Sequence, residues 1–104
     1  MATVDGGTLI GRILKEQNVE YMFAVNGGHT FPILATLRDN GIKLIHMRHE
    51  QATAYAADGY ARVTGKPGIC CVTAGCGLTN AVTGLCVAGL TNSAVVCLSG
   101  QHPT

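Results

Sequence analysis

Charge is what this 104-residue sequence has least of. Seven Lys and Arg stand against six Asp and Glu, 12% of the chain in all, and no acidic residue follows Asp58. A formal net charge of +1 supplies none of the basic surplus that nucleic-acid binding depends on, so no nucleic-acid partner is expected. Hydrophobic residues make up 47%, too many for a disordered chain, and the length suits one domain spanning 1–104. No CxxC spacing occurs among the five cysteines, Cys70, Cys71, Cys76, Cys86 and Cys97. Their odd number, within mostly apolar runs, predicts free and largely buried thiols in a reducing, cytoplasmic setting. Residues 1–8 hold Asp5 and two glycines where a signal peptide needs basic and then apolar residues, so none is read there. The most apolar stretch, Asn80 to Asn92, is too short and too rich in Gly and Thr to span a bilayer, so no membrane partner is expected.

The residues that are present repeat one unit. Leu9, Ile10, Ile13 and Leu14 share a helical face opposite Arg12, Lys15 and Glu16, with a stop near Asn18. Tyr21 to Val25 reads as a buried strand that breaks at Asn26-Gly27-Gly28. Thr30 to Asn40 follows as a helix, with Thr30 as cap, Pro32 in the first turn and Gly41 as stop. The unit recurs as strand Lys43–Met47 with helix Glu50–Thr64, then strand Gly68–Thr73, loop Ala74–Gly77 and a helix from Leu78 to about Asn92. Ala94 to Ser99 is the fourth strand. Apolar strands alternating with helices predict an α/β fold: a doubly wound, mostly parallel open sheet with helices on both faces, in four βα units.

Such sheets bind ligands where the loops gather at the carboxyl ends of the strands. The candidate segments are Asn26–His29, Arg48–Glu50, Thr73–Asn80 and Gly100–His102. Glu50 opens a helix at that edge, placed either to exchange a proton with a ligand's ring nitrogen or only to complement the helix dipole. Gly75-Cys76-Gly77 turns from strand to helix but lacks the third glycine and the later acid of a dinucleotide fingerprint, and no GxxxxGK[ST] occurs. It remains a tight turn that exposes backbone to a ligand. His29 reads as a general base or substrate-orienting group, or equally as a capping or solvent-facing residue. His46 and His49 read as structural, since no third ligand at metal spacing accompanies them. Gly84, Ala88 and Ala81 form a small-residue surface for close packing, either internal or between subunits, and Asp58 and Arg62 form a local helix pair.

The runs Arg48-His49-Glu50-Gln51-Ala52, Ala56-Ala57-Asp58-Gly59-Tyr60-Ala61-Arg62, Gly65-Lys66-Pro67-Gly68 and Thr73 through Ala81 together resemble the N-terminal pyrimidine-binding domain of thiamine-diphosphate enzymes. The likeness is strongest to the acetolactate synthase, 2-hydroxyacyl-CoA lyase and benzaldehyde lyase group, and it runs from Gly6 to Pro103. It implies thiamine diphosphate as cofactor and a lyase or synthase that cleaves or forms a C–C bond beside a carbonyl, on a small carbonyl or acyl-CoA substrate. An acetolactate synthase large subunit of branched-chain amino-acid biosynthesis is the alternative, and a noncatalytic interaction remnant a third reading.

By the same resemblance, Glu50 is the catalytic glutamate that hydrogen-bonds the N1′ nitrogen of the aminopyrimidine and favours its imino tautomer. Thr73, Gly75, Gly77 and Asn80 approach the cofactor. Asn26, Gly28 and His29 lie on the substrate side, where benzaldehyde-lyase-like members place a histidine for proton handling. Cys76, also on that side, stands where many relatives have proline. Mg²⁺ and the diphosphate belong to a C-terminal domain bearing GDG and a downstream Asn, normally from the other subunit of a homodimer or homotetramer, so no metal ligand is expected here. FAD, which the resemblance admits as a second cofactor, has no residues assigned to it. The family domain carries more strands than the four read here, so the chain is expected to be an incomplete domain and inactive by itself.

Overall fold

The computed structural model describes residues 3–103, so Met1, Ala2 and Thr104, at the ends of the span 1–104, lie outside the described residues. The elements follow as α1 (Gly6–Glu16), β1 (Tyr21–Ala24), α2 (Phe31–Leu37) with a 3₁₀ turn at Arg38–Asn40, β2 (Lys43–His46), α3 (Glu50–Thr64), β3 (Gly68–Val72), α4 (Cys76–Leu90) and β4 (Val95–Ser99). The four strands form one parallel sheet in the order β2-β1-β3-β4. The alternating unit is thus an α/β fold. Because the chain steps outward from β1 to β2 and then back across β1 to β3, the winding reverses between β1 and β3. A crevice opens at the carboxyl ends of the strands flanking such a reversal.

The pleat divides the apolar residues between two cores. Met22 and Ala24 of β1, with Ile69 and Cys71 of β3, face Leu37 and Ile42, and partly buried Leu14, Ile33 and Leu34 from α1 and α2 complete that side. On the other face Val72 packs with Ala54 of α3 and Ala81 and Leu85 of α4. Tyr60 of α3 lies against Tyr21 and Phe23, with ring centroids 5.8 and 6.0 Å away.

Two expectations are corrected, the face that α1 buries and the start of α4. In α1, Leu9 and Ile13 are exposed, and the buried residues are Gly7 and Gly11. A Cβ on Gly7 would lie 2.5 Å from the Pro32 carbonyl group, and one on Gly11 would run into the Thr36 hydroxyl. Backbone contact with α2, not an aliphatic stripe, sets this interface. Thr30 takes the expected N-cap position of α2 but without a side-chain capping bond: its hydroxyl donates to the Gly27 carbonyl at 3.2 Å, and the α-helix gives way to the 3₁₀ turn before Gly41 ends it at φ 69°. α4 begins two residues before the expected Leu78. Gly75 takes φ 66°, which costs glycine little, and the helix starts at once at Cys76.

Small residues also join α3 to α4. A Cβ on Gly84 would lie 2.5 Å from that of Ala54, and Ala81 and Ala88 are buried on the same helix. The small-residue surface is therefore internal, and its partner is α3. Of the cysteines, Cys70 and Cys71 are buried and Cys97 partly so, whereas Cys76 and Cys86 of α4 are exposed. Burial pushes the Cys71 thiol up to about 11. Cys70, opposite Cys97 across β3 and β4, is also raised, by hydrogen bonding to Cys97 and by burial. All five are free.

Candidate functional site at the carboxyl edge

α3 delivers Glu50 to the carboxyl edge of the sheet. His49 caps the helix, its Nδ1 accepting from the Gln51 amide at 3.0 Å, so this histidine has the structural role expected of it. Glu50 is half-buried in the first turn, where a carboxylate complements the helix dipole. Its Oε2 accepts from Asn80 Nδ2 at 3.3 Å, which leaves Oε1 without a protein donor among the described residues. Asn80 can reach because α4 starts early and puts it in the second turn, facing α3. Beside them, Gln51 Nε2 donates to the Tyr55 hydroxyl at 3.1 Å.

Thr73 lies at the reversal crevice, between the β1 and β3 loops. A Cβ on Gly27 would collide with the Thr73 side chain, and one on Gly77 would lie 2.8 Å from Thr73 Cγ2. The first glycine lets the β1 loop close over the end of β3, and the second lets α4 turn tightly away. Gly28 faces open space, with nothing within 4 Å of where a Cβ would stand. Asn26 and Cys76 are exposed, Cys76 on the first turn of α4 rather than in a loop.

No hydrogen bond among the described residues joins His29 to Glu50. His29 packs instead on Gly100, where a Cβ would run into its own, and meets His102 with ring centroids 5.0 Å apart at 81°. The site residues thus fall into two groups, Glu50 with Asn80 and His29 with the β4 loop, with Thr73 and its flanking glycines between them. His102 and Gly100 lie in the candidate segment Gly100–His102 but carry no individual role from the sequence. The signals for them are that carboxyl-edge position and the fact that three of the four histidines fall in such loops, with His46 ending β2 next to another.

A half-buried carboxylate with one free oxygen, beside a loop kept open by glycines, suits a planar heterocycle that offers a ring nitrogen. Among the described residues no three His, Cys, Asp or Glu side chains lie close enough to share a metal ion. No helix among them is long and apolar enough to cross a membrane. A cavity of about 490 Å³ opens at the opposite, amino edge, between Leu14, Val19, Tyr21, Tyr60, Ile69 and Val96. None of the loop residues above borders it, and its walls are mostly apolar apart from Gln17, Asn18 and the Lys66–Glu20 pair at 2.9 Å.

Residues 4–104 match the family described as thiamine pyrophosphate enzyme, N-terminal TPP binding domain. The chain is 42% identical over 101 residues to a probable acetolactate synthase of Mycobacterium bovis, a match covering 97% of the chain and 18% of the relative. It is 42% identical over 98 residues to the acetolactate synthase isozyme 2 large subunit of Escherichia coli, covering 94% and 18%. It is 41% identical over 95 residues to 2-hydroxyacyl-CoA lyase 2 of Xenopus laevis, covering 91% and 15%. The chain spans less than a fifth of the length of these relatives.

Proposed function

The chain belongs to the thiamine pyrophosphate enzyme family as an N-terminal TPP binding domain, and from that membership we propose that it supplies the pyrimidine-side residues of a lyase or synthase working on a C–C bond next to a carbonyl. The observation that carries the reading is Glu50, half-buried at the carboxyl edge with Oε2 held by Asn80 and Oε1 without a donor among the described residues. Thiamine diphosphate, when bound, supplies a thiazolium carbon that attacks carbonyls and a ring that stores the resulting electron pair. The part of this chain is to hold that cofactor and move protons beside it. Glu50 Oε1 holds or accepts a proton at the ring nitrogen of the aminopyrimidine. Asn80 keeps the carboxylate aimed by occupying its other oxygen. Thr73, Gly75 and Gly77 line the approach, where the absence of side chains on the glycines leaves backbone exposed. Asn26, Gly28, His29 and Cys76 face the substrate, with His29 handling a proton at its carbonyl. Diphosphate and Mg²⁺ are assigned to another domain and the second active-site wall to a partner subunit.

A 2-hydroxyacyl-CoA or benzaldehyde lyase-like reaction is the leading form of this reading. The 42% identity to two acetolactate synthase chains supports the second, an acetolactate synthase large subunit. Glu50→Gln in the complete holoenzyme tests both against a noncatalytic interaction role. Exchange of the cofactor's C2 proton with deuterium, followed by NMR, is expected to slow about 10²- to 10⁴-fold. An unchanged exchange rate would overturn the assignment of Glu50 and, with it, the catalytic reading.

A further inference from the structure

His29 and His102 sit on loops that leave β1 and β4, two strands separated in the sheet by β3. Their rings nevertheless meet almost perpendicularly, with centroids 5.0 Å apart, an arrangement that aromatic rings favour. Each ring is also seated on a glycine. A Cβ on Gly100 would displace the His29 side chain and would touch Ala74 at 3.6 Å, while His102 Nε2 lies 3.1 Å from the Cβ position of Gly75. The end of β4 is itself tied to the β3 loop, since the Ser99 hydroxyl donates to the Thr73 carbonyl at 3.3 Å. His102 therefore lies between the glycine turn that starts α4 and the imidazole of His29. Both side chains are exposed and neither imidazole makes a hydrogen bond within the domain among the described residues, so the nitrogens of His29 are free for a ligand while its ring rests on one side against Gly100 and His102.

We propose that His102 is a positioning residue for His29: its ring, seated on the Gly75 turn, fixes the direction in which His29 presents its nitrogens to the substrate carbonyl. The catalytic part of this inference rests on the proposed function, because it takes His29 as a proton-handling group. The positioning part stands on the packing alone.

Two measurements separate those parts. In the 104-residue chain, imidazole NMR spectra of wild type, His102→Ala and His102→Phe are compared. A His29–His102 nuclear Overhauser contact is expected in wild type. His102→Ala should shift the His29 ring resonances while the methyl signals of Met22 and Val72 stay in place, and His102→Phe, which keeps a planar ring, should restore the wild-type trend. Gly100→Ala is the second variant, expected to displace His29 with His102 intact. In the complete holoenzyme, His102→Ala should lower kcat about 10- to 100-fold, the scale of a misplaced reacting group, with KM changed less than about twofold. His102→Phe should recover most of the loss. C2 proton exchange, which reads Glu50, should be unaffected. His29 resonances unmoved by His102→Ala, or Ala and Phe variants equally impaired, would overturn the proposal and leave the function reading standing. C2 exchange that survives Glu50→Gln overturns the function reading and leaves the spectroscopic result intact.

Discussion

Gly84 and Gly59 are both helical, yet opposite effects are expected on replacing them with alanine. Gly84 lies against α3, where an added methyl group would be 2.5 Å from Ala54 Cβ and 3.1 Å from the Gln51 carbonyl oxygen. Gly84→Ala should therefore destabilise the domain by about 1–3 kcal/mol through overpacking. Nothing lies within 4 Å of a Cβ on Gly59, so Gly59→Ala keeps only the gain in helix propensity, about 0.5–1 kcal/mol. Urea melts of the two variants check both signs. The same contrast explains what was legible at this scale. Glu50, His29 and the Thr73–Asn80 loop stand out because their residue types are unusual at a strand–helix junction. Gly7, Gly11 and Gly100 do not, because what makes each necessary is a neighbour on another element, namely the Pro32 carbonyl group, the Thr36 side chain and the His29 side chain.

Among the elements, α3 and α4 are joined at their carboxyl ends by an ionic clamp. Arg62 Nε and Nη2 meet both carboxylate oxygens of buried Asp58, at 3.0 and 2.9 Å, and Nη2 also donates to the Thr91 hydroxyl at 2.9 Å. Hydrogen bonds from Arg62 and then Ser93 hold the Asp58 carboxyl below its ordinary range. A carboxyl group lowered on folding adds stability that is complete above its unfolded value, about 3.9, and is lost as pH falls through the lower folded value. The stability difference between wild type and Asp58→Asn should accordingly be constant near neutral pH and shrink below about pH 4, as checked by thermal melts from pH 7 to 2. The Asp58–Arg62 pair was readable from i,i+4 spacing, as were all four strands and the order of the helices. The start of α4 and the missing side-chain cap of α2 were not. Thr30 spends its hydroxyl on the Gly27 carbonyl, and the left-handed Gly75 starts α4 two residues sooner than its apolar run suggests.

For the whole molecule, the sheet places Glu50, at the start of α3, and His29, on the β1 loop, at one edge but gives them no direct hydrogen bond among the described residues, and a cofactor held by only one wall is held weakly. Calorimetry of the 104-residue chain with thiamine diphosphate and Mg²⁺ should show weak or no binding and no turnover, as the proposed assignment of diphosphate and metal to another domain requires. Saturable tight binding would show that this domain alone holds the cofactor. The paired helices that flank the site also have a mechanical asymmetry. Gly84 meets Ala54 about 6 Å along α4 from Asn80 and about 10 Å from Thr91. A residue larger than glycine at position 84 would wedge α4 off α3 closer to the Glu50–Asn80 hydrogen bond than to the Arg62–Thr91 one, so the carboxylate end of the pair bears the greater part of that displacement.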